Sequence, residues 1–226
     1  MIWDHNYYRK HPRIATSIGD ILICQEFSNI DAEGKNIDNL GIRTGQAMFS
    51  WMRKSTSNSE HASIVTTGWA VNDPVGFVCD ANVTEGKDGV AIRPWKPREA
   101  YVYRCNNAWL SAEASRVAQN IAAKIRGKNG FYDLKKAVKS VFKFKYVDKY
   151  TIKYINNCYY YVYGESRDRT FPGMFCSEFA VLCYILALRR LGISPGNLNV
   201  DPRAISVKAL QSLLERNASF SRAGRV

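Results

Sequence analysis

Phe175-Cys176-Ser177-Glu178-Phe179-Ala180-Val181-Leu182-Cys183 opens the most apolar helix-like run of the chain, which continues to Leu191 and stops at Gly192. A cysteine stands at its start. A thiol in the first turn of a helix meets unpaired backbone N–H groups and the positive end of the helix dipole. Both favour thiolate, the nucleophilic form. A core helix that begins with a thiol predicts both a packed domain and a place for chemistry.

Working outward, the upstream half reads as strands. Gly19-Asp20-Ile21-Leu22-Ile23-Cys24 is a turn followed by a buried strand. Residues 61–67 and 75–83 read as two more, joined across the turn signal Asn72-Asp73-Pro74, and Gly89 to Pro94 and Ala100 to Cys105 read as a fourth and fifth. Residues 28–46 are polar and suggest a loop ahead of a short helix near Gln46 to Arg53.

Helical spacing begins after Ser111, taken as the N-cap: Ala114, Val117, Ala118, Ile121, Ala122 and Ile125 recur until Gly127. Asp133 is read as the cap of a second helix carrying Leu134, Val138, Val141 and Phe142. The Tyr- and Lys-rich stretch 144–163 shows no clear period and is read as an insertion or a lid. A last helix starts near Ser206 with Val207, Leu210, Leu213 and Leu214, and the chain from Arg216 onward looks frayed. There is no repeat and no linker, so residues 1–226 read as one domain of α+β class.

The 226 residues, 46% of them apolar or aromatic, suffice for a sizeable core. No apolar stretch approaches the ~20 residues of a transmembrane helix. The first residues lack the basic start and apolar middle of a signal peptide, so synthesis in the cytoplasm is expected. The formal charge of +12 predicts attraction to anionic partners, a cell-wall polymer or a membrane surface. Lysines cluster between Lys124 and Lys153, where the ordinary reading is a solvated face. Six cysteines without a C-x-x-C or Cys/His ligand cluster argue against structural zinc, and no metal or cofactor is expected.

His61 begins the strand that runs through Ile64 and Val65. If the hairpin between 61–67 and 75–83 centres near residues 70 and 71, position 61 lies opposite Asp80, on the same face of the sheet; the turn Asn72-Asp73-Pro74 lies slightly past that centre, so this pairing needs a bulge or a register shift. The two then supply a base and its orienting acid. Cys176 attacks an acyl carbon, His61 takes the thiol proton, Asp80 orients the imidazole, and the Cys176 N–H faces the developing oxyanion. Each residue also has an ordinary reading: a strand-edge histidine, a packing cysteine, an acid in a surface turn. His5 and His11 lie in a polar segment without strand character, and neither is expected to act.

Four short blocks carry a resemblance. Gly19-Asp20-Ile21-Leu22, Ser59-Glu60-His61-Ala62-Ser63-Ile64-Val65, Val78-Cys79-Asp80-Ala81 with the later Gly89-Val90, and Phe175-Cys176-Ser177-Glu178-Phe179 occur in one order. Together they resemble the circularly permuted NlpC/P60 group of papain-like cysteine hydrolases, which includes lecithin retinol acyltransferase-like proteins. In that group the histidine precedes the cysteine. Asp80 stands where a Glu is usual, and Ala62-Ser63 where Val-Gly is commoner. The Tyr/Lys-rich stretch has no counterpart.

The resemblance implies a papain-like α+β fold, a small antiparallel sheet with the cysteine helix packed on it. It also implies cleavage of amide bonds, less often ester or thioester bonds. The function expected from it is a peptidoglycan endopeptidase or amidase, delivered as an antibacterial effector by a contact-dependent system such as type VI secretion. A monomer with an immunity protein as partner is expected. A lipid-directed acyltransferase or thioesterase is the second reading. A non-catalytic basic module that engages membrane or nucleic acid is the third, with no sequence-specific nucleic-acid motif to support it.

Overall fold

A computed structural model describes residues 13–25, 59–71, 76–82, 89–95, 100–125, 147–164 and 173–226. The architecture is α+β, a six-stranded antiparallel sheet packed against helices. The strands are β1 (Ile21–Gln25), β2 (Ser59–Thr67), β3 (Phe77–Asn82), β4 (Gly89–Pro94), β5 (Ala100–Cys105) and β6 (Phe220–Arg225), in the spatial order β4-β3-β2-β1-β5-β6. The helices are α1 (Ala108–Ile125), α2 (Lys149–Tyr163), α3 (Cys176–Arg190) and α4 (Val207–Arg216).

Period-two alternation sorts the strand residues. Ile21, Ile23, Ala62, Ile64, Cys79, Ala81, Tyr101 and Tyr103 join the main core with all four helices. Leu22, Cys24, Val65, Val78, Ala100 and Val102 form a second cluster with Trp69 and Trp95, whose rings stack 5.6 Å apart. Helix α3 is the centre of the main core. Its residues 176 to 188 are all buried, as an all-round apolar helix requires. Each fully buried Leu, Ile, Val or Phe side chain there stabilises the fold by about 1.5–3 kcal/mol. Glu178 in the first turn and Arg189 and Arg190 in the last complement the helix dipole. Gly192, at φ +67°, turns the chain out of the helix, and the Ile193 N–H returns to the Leu188 carbonyl.

Gly19 is the other glycine the fold demands. Its φ is +85°, and a Cβ there would lie 2.2 Å from the Ser111 carbonyl oxygen. This close approach brings the entry of β1 onto α1. The Tyr184 hydroxyl of α3 donates to the Gly19 carbonyl at 2.6 Å, tying three elements together. The next residue, Asp20, is fully buried and accepts from Arg104 Nε at 3.0 Å and Nη2 at 2.7 Å, an Arg–carboxylate fork across the neighbouring strand β5.

Several local readings change. Helix α1 starts earlier than its apolar spacing suggests. Asn107, not Ser111, caps it, accepting from the Leu110 N–H at 3.1 Å, and Ser111 is buried inside the helix. The stretch 149–163 is a regular helix with Asp148 as N-cap, accepting from the Thr151 N–H at 2.7 Å. Its period is hidden because the buried positions are Thr151, Cys158, Tyr161 and Val162, and amphipathic tyrosines occupy both faces. The segment after Arg216 is not frayed: Phe220–Arg225 pairs with β5 as an edge strand. Its sequence FSRAGR reads as polar because little of an edge strand needs to be apolar. Ser206 does cap α4, accepting from the Ala209 N–H.

The Asp133-capped helix, the helix near Gln46 to Arg53, the turn Asn72-Asp73-Pro74, His5, His11 and Lys135 to Lys145 lie outside the described residues. Among the described residues no helix is long and apolar enough to cross a membrane.

Candidate active site

His61 sits near the start of β2, where β1 ends: Cys24 pairs with it, and the ladder then shifts register between Cys24 and Gln25. Asp80 lies on β3. The hairpin register differs from the sequence expectation. Ile64 pairs with Cys79, so Ser63, not His61, stands opposite Asp80. A bulge between Val65 and Thr67 accompanies the difference. The offset is two residues, and an even offset keeps a side chain on its face. His61 therefore meets Asp80 along the diagonal rather than directly across.

The contact is short. His61 Nε2 and Asp80 Oδ2 are 2.8 Å apart, and both side chains are buried. The Ser63 hydroxyl donates to the same oxygen at 3.4 Å. Arg93, on β4, donates from Nε to Oδ1 at 3.1 Å. With Nε2 directed at the carboxylate, Nδ1 is the ring nitrogen left for the thiol. The Cys176 sulfur lies close enough to the imidazole to favour its charged form.

Cys176 is the first residue of α3. The N-cap, Phe175, is extended and makes no side-chain cap hydrogen bond, so no side chain of its own competes for the first-turn amides. Two neighbours hold this helix start. The Ser177 hydroxyl donates to the Ile205 carbonyl at 2.7 Å. Glu178, fully buried, accepts from the Tyr154 hydroxyl of α2 at 2.7 Å. Burial, and then the Glu178 carboxylate, push the Tyr154 phenol well above its usual range, so it remains a donor. Arg203 packs over the Tyr154 ring at 5.0 Å and is itself forked onto Asp201.

The electrostatics of His61 and Asp80 agree. Burial disfavours a charged imidazole. The Cys176 sulfur, and then the Asp80 carboxylate, outweigh it and hold the His61 pKa well above its ordinary value. Burial likewise disfavours a charged Asp80, yet His61 and then Arg93 hold its carboxyl below the usual carboxylate range. The pairing of His61 with Asp80 thus favours the protonated imidazole and the ionised carboxylate together. Burial pushes the Cys79 and Cys183 thiols up, as for packing cysteines. All six cysteines are buried and unbridged.

The structure brings Cys176, His61 and Asp80 together. Ser63 and Arg93 escaped sequence reading. Ser63 carried a signal: two residues from His61 on a strand, it shares its face. Arg93 is the charged residue in Gly89-Val90-Ala91-Ile92-Arg93-Pro94, but only the pairing of Asp80 with Ala91 and Val78 with Arg93 places it beside the carboxylate. A cavity of about 330 Å³ lies elsewhere, along the C-terminal half of α3 among Ile152, Ile155, Ile185, Leu188 and Leu198, and none of the three candidate residues lines it. Among the described residues no three His, Cys, Asp or Glu side chains gather as a metal site. Compared with known proteins, the chain matches no protein-family model, no curated protein and no solved structure.

Proposed function

We propose that this protein is a cysteine hydrolase of the papain-like, circularly permuted NlpC/P60 kind, with Cys176 as nucleophile, His61 as general base and acid, and Asp80 as the orienting group. The observation that carries the reading is the contact chain: a thiol opening a helix, an imidazole against it, and a buried carboxylate 2.8 Å from that ring's far nitrogen. Cysteine, histidine and acid converge from residues 61, 80 and 176. A packing cysteine needs no such partners.

In the reaction, the Cys176 proton passes to His61 and the thiolate adds to a carbonyl carbon. The oxyanion forms beside the first-turn amides of α3, whose dipole opposes its charge. His61 then protonates the leaving amine, and the thioester is released by water that His61 deprotonates. Asp80 keeps the ring in register and stabilises the imidazolium throughout.

The substrate class we propose is an amide bond of peptidoglycan stem peptides, with the protein acting as an antibacterial effector in the target cell envelope. The support is the ordered set of sequence blocks and the basic charge of +12, suited to an anionic polymer. The test is incubation of purified sacculi with the wild type and with Cys176→Ala, followed by chromatography of the released fragments. Fragments with new free amino termini, made by the wild type alone, are expected. Equal release by both proteins refutes the nucleophile; release by neither, together with turnover of phospholipid, moves the substrate to the lipid reading.

A further inference from the structure

We propose that Arg93 is a positioning residue for this site: it pins one oxygen of Asp80 so that the other is held against His61. The inference rests on the cysteine-hydrolase reading and adds a fourth residue to it.

The geometry is that of a clamp. Asp80 is 1% exposed, and its carboxylate would otherwise rotate about a broad, two-fold torsion. Arg93 Nε occupies Oδ1 at 3.1 Å while His61 Nε2 occupies Oδ2 at 2.8 Å, so the carboxylate plane is fixed from both ends. The guanidinium is in turn held by its own strand, since Nη2 donates to the Gly89 carbonyl at 3.4 Å. Register supplies the placement. Asp80 pairs with Ala91, and Arg93 is two residues further along β4, on the same face.

The charges also balance. Asp80 is a buried carboxylate, and a buried charge is costly unless a cation offsets it. Arg93, its side chain 25% exposed, cancels that charge from the solvent side. The charged and titratable groups that face Asp80 are His61 from β2 and Arg93 from β4; its neighbour Cys79 points to the opposite face, and Cys176 of α3 acts on it through His61. Of these, Arg93 alone is a fixed cation. A lysine could supply the charge but not the planar fork that reaches both the carboxylate and a backbone carbonyl.

The test uses the full-length protein with Arg93→Gln, Arg93→Lys, Asp80→Asn and the Asp80→Asn/Arg93→Gln pair. Cys176 alkylation by iodoacetamide is followed by mass spectrometry across pH. Arg93→Gln is expected to slow it about tenfold and to move its acid limb up by about one pH unit, the usual effect of removing an opposite charge at this range. Arg93→Lys should return the limb but not the full rate. In the Asp80→Asn background, Arg93→Gln should add no further loss, because it acts through that carboxylate. A limb that stays in place in Arg93→Gln, or losses that simply add, would overturn the proposal; a role confined to packing predicts lower melting temperature without either change.

Titration of the His61 ring by NMR separates this from the hydrolase reading. If Cys176 proves no more reactive than a free thiol, the hydrolase reading fails. The clamp still predicts that Arg93→Gln shifts the His61 titration when Asp80 is present and leaves it unmoved when Asp80 is Asn. Identical titrations in both backgrounds refute it. Should Arg93→Gln not fold, Arg93→Met, which likewise removes the charge, carries the same comparison.

Discussion

Replacing Asp80 by Asn removes one charge from a buried site while keeping its shape, and the structure fixes what that should cost. The wild-type carboxylate has three donors: His61 at 2.8 Å, Arg93 at 3.1 Å and Ser63 at 3.4 Å. Breaking a buried ion pair from one side costs about 3–5 kcal/mol. Here the loss is smaller, because the Arg93 side chain is 25% exposed and water can recover its charge, and because the amide oxygen still accepts one bond. About 2–3 kcal/mol is expected near pH 6, or about 4–12 °C in melting temperature for a chain of this size. The rate should fall further, by about 10²- to 10⁴-fold, since an Asn that donates to the ring selects the wrong tautomer and cannot stabilise the imidazolium.

The pH dependence of that cost has a definite sign. The Asp80 pKa is depressed in the fold, so its contribution is present above the unfolded value near 3.8 and is lost as pH falls through the folded value. The His61 pKa is raised, so its contribution is complete below the unfolded value of 6.5 and is lost as pH rises through the folded one. Both are in place between about pH 4 and 6.5. The gap in melting temperature between wild type and Asp80→Asn, read by circular dichroism, should be widest in that window. It should narrow toward both acid and alkaline pH. A constant gap from about pH 3 to 9, with a rate within about threefold of wild type, would refute the linkage of these residues.

Three further outcomes test the fold around the site. Cys183→Ser should lower stability by about 1–3 kcal/mol in chemical denaturation while leaving Cys176 alkylation intact, because it places a hydroxyl in a fully buried apolar setting. Gly19→Ala should be among the most damaging single changes, since it combines a φ of +85° with a backbone atom 2.2 Å from the new Cβ, and soluble yield and melting temperature both report it. Reversing the exposed Lys149 and Lys153 of α2 to Glu should weaken pelleting with intact sacculi at low salt and leave Cys176 alkylation unchanged, as expected for screened surface attraction.

Some of this molecule is legible in its residue order alone. The period-two runs of β1 to β5 and the continuous apolar run from Cys176 each state their own structure, because the pattern needed to bury one face, or every face, is written locally. His61, Asp80 and Cys176 were visible for the same reason, as polar residues in or at the edge of apolar elements. Tertiary structure decided the rest. Phe220–Arg225 looks like a tail because an edge strand takes its order from the partner β5 rather than from its own side chains. The 149–163 helix hides its period because tyrosines serve its buried and exposed faces alike. The position of Asn72-Asp73-Pro74 calls for a bulge or a register shift in this hairpin, but only the assembled strands place it between Val65 and Thr67; because the register moves by two rather than one, His61 and Asp80 stay on one face. Arg93 became part of the site only once β4 was laid beside β3. Contacts across a sheet are set by register, and register is a property of the assembled strands, not of any one of them.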